Sequence, residues 1–271
     1  EDRSPGRRRA MTINQPKPDL YLSLPHPCSY LPDRASTIVF VDPQFTLNGL
    51  LYGNFVDQGF RRSGDLVYRP YCQSCAACVP VRIPVERFQP TRGQKRVWHK
   101  NQDITLHTAQ PVFSTEHFDL YRRYQSARHA GSSMDDPDPE RYIGFLASRQ
   151  ADTIFFEMRL AQPGGPVDSP GALLGVAIVD ILPMGLSAVY TFFEPALGSR
   201  GLGVYGVLWQ IAEAQRRGQR KRCPALHQML GGGDVAVDER IVGVAVGGRA
   251  RVDQHVAALL HERDDLVRLD G

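Results

Sequence analysis

Three cysteines at even spacing, Cys72, Cys75 and Cys78, stand in the stretch YRPYCQSCAACVPVRIPVERFQPTRGQKRVWHK, Tyr68 to Lys100. Thiolates at such gaps are ligands for a soft or borderline cation. Cys28 lies far upstream, in the proline-rich segment LPHPCSYLPD. Brought in from there, it makes a set of four, which suits zinc or an iron–sulfur cluster. The same residues also read as a buried cluster of reduced thiols, because free cysteine packs as a small apolar side chain. Cys223 lies in the divergent tail, outside this set. No secretory segment is visible beside these cysteines, which argues against a disulfide framework.

The second chemical signal is charge. Residues 61–100 hold nine Lys/Arg against two acids, Asp65 and Glu86, so this window carries +7 while the whole chain carries +3. A local positive field beside a cysteine set points to a polyanion, with nucleic acid as the first expectation. From Pro90 the pattern is helical, and Arg92, Lys95, Arg96 and His99 share one face at three- and four-residue spacing. Such a stripe reads either as phosphate contact or as a solvated surface.

The elements that must hold these residues are legible in outline. A helix is expected between Asp42 and Gly59, with Leu47, Leu50, Leu51 and Phe55 on its apolar face. Arg61–Asp65 reads as a turn and Leu66–Tyr68 as the start of a strand. Val79, Val81, Ile83 and Val85 alternate, and Pro80 and Pro84 place that strand at a sheet edge. Ile104 and Leu106 mark a short strand. Ser114 caps a helix, with Phe113 and Phe118 as its hydrophobic staple. A second helix is expected over about 140–149. Strands follow at 154–160, 173–181 and 186–193, the last two joined in a hairpin by Leu-Pro-Met-Gly. A helix over 201–217 closes the pattern.

At 271 residues and 42% hydrophobic content the chain can bury a proper core. No apolar run approaches the ~20 residues that cross a bilayer, so the expected setting is cytoplasmic. Residues 1–20 are expected to be a disordered leader, with Met11 as the natural start.

The hairpin ending in YTFF, a glycine-containing loop and a long helix together resemble the acyl-CoA N-acyltransferase core, an α+β fold. That family holds its cofactor's pyrophosphate at Gln/Arg-x-x-Gly-x-Gly/Ala. The corresponding stretch runs from Arg200 to Tyr205, and a tyrosine in the last place obstructs close approach of a pyrophosphate. HPCSYL at 26–31, the stretch from Gly59 to Arg92, Asn101-Gln102-Asp103 and LSAVYTFFEP at 186–195 sharpen the resemblance to the bacterial aminoacyl-tRNA–protein transferases. It runs from about Tyr21 to Gly218. It implies a cysteine-containing N-terminal region over 21–110 and an acyltransferase-like domain over 111–218.

The implied reaction is attack of a protein's α-amine on the aminoacyl ester of tRNA. Leucine is the expected donor group and an N-terminal Asp or Glu the acceptor; arginyl transfer, or a nucleic-acid-binding module without catalysis, are the alternatives. The ester is already activated, so no cofactor is required and positioning supplies much of the acceleration. Tyr190 is a candidate for the reaction pocket, with core packing as its other reading. Arg69, Arg82 and Arg92 are candidates for the acceptor carboxylate. Lys95 and Arg96 belong with tRNA phosphates.

The tail departs from the resemblance. From Gln210 to Gly271 there is no Phe, Tyr or Trp, where about five or six are expected at the chain's aromatic content. A shifted reading frame or a fused segment over 219–271 accounts for this. The strand that should follow the long helix is then expected to be missing, leaving the hairpin's edge unpaired, with Asp234–Val246 as a surrogate.

Overall fold

The computed structural model describes residues 17–130, 138–161 and 171–218, and two short strands beyond them, Ala225–Leu226 and Leu266–Arg268. The N-terminal part contributes strands β1 (Leu20–Ser23), β2 (His26–Pro27), β3 (Ala35–Ser36) and β4 (Ile38–Val41), helix α1 (Gly49–Asp57), and strands β5 (Arg61–Ser63) and β6 (Leu66–Pro70). Then come β7 (Val81–Arg82), α2 (Arg92–Lys100), β8 (Ile104–Ala109), α3 (Thr115–Arg128) and α4 (Pro139–Leu146). β9 (Asp152–Leu160), β10 (Leu173–Leu182), β11 (Gly185–Phe193), α5 (Leu202–Arg216), β12 (Ala225–Leu226) and β13 (Leu266–Arg268) complete the order. The fold is mixed α+β, with largely antiparallel sheets.

One sheet runs β13-β1-β4-β6-β5, and α1 covers it through Tyr52 and Val56, which with Phe60 just beyond the helix pack on Val39, Val41 and Val67. The other runs β7-β12-β11-β10-β9-β8. β10, LLGVAIVDIL, is buried almost throughout because helices lie on both faces of this sheet. α3 and α4 bring Leu120, Tyr121, Tyr142, Phe145 and Leu146 to one face, and α5 brings Val207, Ile211 and Ala214 to the other.

Several sequence expectations hold. Ser114 caps α3 by accepting from the His117 N–H, and the Phe113 and Phe118 rings pack at 5.7 Å. The β10–β11 hairpin forms, with a bulge between Ile178 and Val179. Others are corrected. α1 begins at Gly49, because the Asn48 side chain caps it from Leu51 N–H, while Asp42 accepts from Gln44 N–H in a local turn. Leu50 accordingly faces solvent, 65% exposed. The alternating run at 79–85 pairs only at Val81 and Arg82, because Pro80 and Pro84 lack the N–H groups a longer ladder needs. It does lie at a sheet edge. α4 ends at Leu146, short of Arg149. Arg61–Ser63 is a strand rather than a turn, and Gly64 turns the hairpin with φ 57°. A side chain at Gly64 would strike the Gly144 carbonyl oxygen of α4.

The expected loss of the strand after the long helix is also corrected. β12 pairs parallel with β11 at Ser187 and Ala188, and antiparallel with β7. Backbone hydrogen bonding needs no aromatic side chain, so two residues of the divergent segment serve. Asp234–Val246 and residues 1–16 of the expected leader lie outside the described residues, and Leu20 already belongs to β1.

Candidate active site

The four cysteines of the sequence reading are brought to one end of the first sheet. Cys28 is held by its N–H on the Arg34 carbonyl oxygen at 2.8 Å, and its sulfur lies 3.5 Å from Leu31 N. Cys72 follows β6, its sulfur 3.8 Å from Ser36 Oγ and the Thr37 carbonyl oxygen. All four are half-buried. Burial pushes the Cys78 thiol up to about 11, the Arg61 guanidinium opposes this, and Cys72, Cys28 and Cys75 add to the rise. The thiols are thus close enough to feel one another. Among the described residues, however, no three Cys, His, Asp or Glu side chains are disposed to hold a metal ion.

Three arginines, expected to meet anions, are placed in different ways. The Arg82 guanidinium is tied to α1, with Nη1 3.3 Å from Asp57 Oδ1 and Nη2 on the Asp57 carbonyl oxygen. Arg69 lies over the rings of Phe60 and Tyr71, at 5.0 and 5.9 Å, and donates to the Gln58 carbonyl oxygen at 3.0 Å. Arg92 is exposed on α2, where Lys95, Arg96 and His99 share its outward face. Gln94 is buried on the other side, and Val97 and Trp98 pack towards α5.

What aims this stripe is the segment after it. Asn101 is fully buried and its amide donates to the Val97 and Arg200 carbonyl oxygens at 2.8 and 2.9 Å. Arg200 returns a bond to Asn101 Oδ1 at 2.9 Å and pairs with Asp103. Lys100 Nζ reaches the Ser199 carbonyl oxygen at 2.6 Å. The end of α2 is therefore riveted to the loop that begins α5. Gly201 takes the left-handed conformation there, φ 66°, with Val97 3.3 Å from where a side chain would start. Tyr205 packs on Trp98 at 5.5 Å between ring centres. An open groove of about 380 Å³ runs beside them, walled by Trp98, Leu106, Tyr205, Trp209, Glu213 and Arg216.

Tyr190 lies on the opposite face of the sheet, on β11. Its ring meets Phe145 at 5.4 Å, Tyr121 at 6.2 Å and Tyr124 at 6.4 Å, and its hydroxyl accepts from Gln125 Nε2 at 3.1 Å. Burial drives its phenol pKa well upward, so at neutral pH it is a hydrogen-bond donor rather than a base. On the same face the Tyr142 hydroxyl and Gln125 Oε1 are buried, with no hydrogen-bond partner among the described residues. The Tyr190 ring thus packs against the aromatic core, and its hydroxyl is within hydrogen-bond reach of Gln125. Gln125 and Tyr142 carry no sequence signal of their own, because aromatics at helical spacing look like core.

One buried constellation escaped sequence reading altogether. Arg62 on β5 grips Asp180 on β10 with Nε and Nη2, each 2.7 Å from a carboxylate oxygen. Tyr52 donates to the same carboxylate at 2.7 Å and Thr153 at 2.8 Å. Arg62 also reaches the Leu146 carbonyl oxygen at 3.0 Å. A single aspartate inside an otherwise apolar strand is the signal that could have found it.

The arginine-tRNA-protein transferase N-terminal family matches residues 26–96, and the C-terminal family matches residues 116–225. An aspartate/glutamate leucyltransferase of Pseudomonas fluorescens is 48% identical over 198 residues, 73% of this chain and 80% of the relative. The enzyme of the same name from Nitrosococcus oceani is 49% identical over 197 residues, 73% of this chain and 79% of the relative. The first match ends within α2 and the second begins within α3, and the chain belongs to the aminoacyl-tRNA–protein transferase family.

Proposed function

We propose that this chain transfers leucine from Leu-tRNA to the α-amine of proteins that begin with Asp or Glu, marking them for N-degron degradation. The observation that carries the reading is near-half identity to aspartate/glutamate leucyltransferases over 73% of the chain. The sheet arrangement agrees with an acyl-CoA N-acyltransferase-like core.

The residues divide the work. Arg92, Lys95 and Arg96 meet tRNA phosphates. The aminoacyl ester enters the β11 pocket. There the protonated Tyr190 hydroxyl donates to the carbonyl oxygen as charge develops on it. The α-amine attacks, the peptide bond forms and the ribose oxygen leaves. The setting is the cytoplasm, where charged tRNA is found; none of the described helices is long and apolar enough to cross a membrane.

A zinc ion or iron–sulfur cluster on Cys28, Cys72, Cys75 and Cys78 is a separate proposal. The donor set has the right chemistry. The described side-chain arrangement does not close a site, so no catalytic step is routed through it.

The test of function is leucine transfer from labelled Leu-tRNA, with Arg-tRNA as control donor. Label on a Glu-starting peptide, and none on an Ala-starting one, is the expected result. Equal labelling of both peptides would refute the acceptor assignment, and preferred use of Arg-tRNA would refute the donor.

A further inference from the structure

Resting on the transferase reading, the acceptor itself defines a further site. An N-terminal Asp or Glu carries an ammonium group and a carboxylate a few bonds apart. Its site needs a cation for the carboxylate and, beside it, a neutral base for the ammonium proton. Arg82 is taken by Asp57, Arg69 is stacked and bonded to Gln58, and Arg92 stands in the outward stripe of α2.

The end of α3 carries such a pair. Arg128 is its last residue and His129 its C-cap, with His129 N–H on the Gln125 carbonyl oxygen. The Arg128 guanidinium lies 5.8 Å from the ring centre of Phe193, the last residue of β11. The His129 ring lies 6.2 Å from Tyr124, whose own ring meets Phe193 at 5.1 Å and Tyr190 at 6.4 Å. One aromatic wall therefore joins the pair to the pocket of Tyr190. Arg128 is exposed and His129 half-buried. Glu194, next along from Phe193, pairs with Arg123 at 3.0 Å and so leaves Arg128 aside. A helix C-terminus ordinarily favours a protonated histidine. Here burial, and then the Arg128 charge, hold His129 below its usual pKa, which keeps it neutral at pH 7. Among the described residues the groups facing it are Arg128 and the Tyr124 phenol, both on α3.

We propose that Arg128 binds the side-chain carboxylate of the acceptor's first residue, and that His129 removes the proton from its α-ammonium. The amine nitrogen then bonds to the ester carbonyl carbon and the bond from that carbon to the ribose oxygen breaks. One ammonium proton passes through His129 to solvent. A second passes from the nitrogen to the departing ribose oxygen, so charge and atoms balance.

The experiment uses the full chain in two measurements. Leucine transfer to Glu- and Ala-starting peptides is measured for wild type, Arg128→Gln, Arg128→Lys and His129→Gln. Separately, the His129 ring resonance is followed as each peptide is added without tRNA. Arg128→Gln is expected to raise KM for the Glu peptide about tenfold with little change in kcat, and Arg128→Lys to recover part of it. His129→Gln is expected to lower kcat about a hundredfold and to abolish the acidic limb of the pH–rate profile. The Glu peptide, and not the Ala peptide, shifts the His129 resonance in wild type but not in Arg128→Gln. An unmoved resonance, an unchanged KM in Arg128→Gln, or an unchanged pH profile in His129→Gln overturns the site. A Glu-specific shift in a protein that transfers no leucine keeps this site and overturns the transferase reading; leucine transfer with an unmoved resonance does the reverse.

Discussion

The cluster around Asp180 and the cluster around Tyr190 are both polar, both buried, and built in opposite ways. At Asp180, Arg62, Tyr52 and Thr153 converge on one carboxylate, and the remaining Arg62 N–H groups face carbonyl oxygens. At Tyr190 the hydrogen bonding is incomplete: the Tyr142 hydroxyl and Gln125 Oε1 have no partner among the described residues. A buried polar group without a partner costs about 1–3 kcal/mol. A fold that supports this cost in one place, and avoids it in another, separates a structural staple from a pocket shaped for something else. The staple joins β5 of the first sheet to β10 of the second, so it also fixes how the cysteine-bearing half sits against the half that holds Tyr190.

The largest expected effect breaks the staple. Arg62→Met leaves the Asp180 carboxylate buried without its cation, and stability should fall by roughly 3–5 kcal/mol in urea unfolding. Combining it with Asp180→Leu should recover much of that loss, since the stranded charge is then gone. A loss below about 1 kcal/mol in the single variant would mean that water reaches the pair.

A smaller effect sharpens the contrast between rivet and stripe on α2. Arg92→Gln, Lys95→Gln and Arg96→Gln change exposed residues, so unfolding should be nearly unaffected. Each should lower the slope of log affinity for tRNA against log salt by about 0.7–0.9 for every phosphate contact removed. Asn101→Ala should do the reverse, destabilising the fold with the salt slope intact. Equal slopes in wild type and the stripe variants would assign the stripe to solvent.

The smallest concerns a second ion network. Glu157 is held down to about 2 by the hydrogen bond from His117, reinforced by Arg159. A carboxyl with a depressed folded pKa stabilises above its unfolded value, near ~4.3, and loses that contribution as pH falls towards 2. Glu157→Gln should therefore flatten the decline of stability between those pH values, followed by circular dichroism. A decline as steep as wild type would place the acid sensitivity elsewhere.

The sequence was legible where a local rule decides the outcome. Ser114 and the Phe113–Phe118 staple, the β10–β11 hairpin and the outward face of α2 follow from capping, turn chemistry and helical period. It was illegible where partners lie far apart along the chain. Arg62 counted towards the +7 field, yet it is buried on Asp180, 118 residues away. Arg82 likewise ends on Asp57. The absence of aromatics in the tail suggested a missing strand, but a ladder is made by backbone, and Ala225–Leu226 form one. Spacing placed the four cysteines near one another, but it does not fix the mutual orientation of their thiols, and among the described residues they do not form a metal-holding set.

The claim that joins these observations is that the incompletely bonded pocket beside β11 receives the aminoacyl ester. Tyr190→Phe and Tyr142→Phe test it when leucine transfer and thermal unfolding are measured on the same preparations. Removing one hydroxyl from a hydrogen bond made in the transition state should slow transfer about tenfold. The Tyr142 hydroxyl has no hydrogen-bond partner among the described residues, so its removal should leave the melting temperature unchanged while transfer falls. Unchanged transfer in both variants, or a loss that only follows lost stability, would contradict the account.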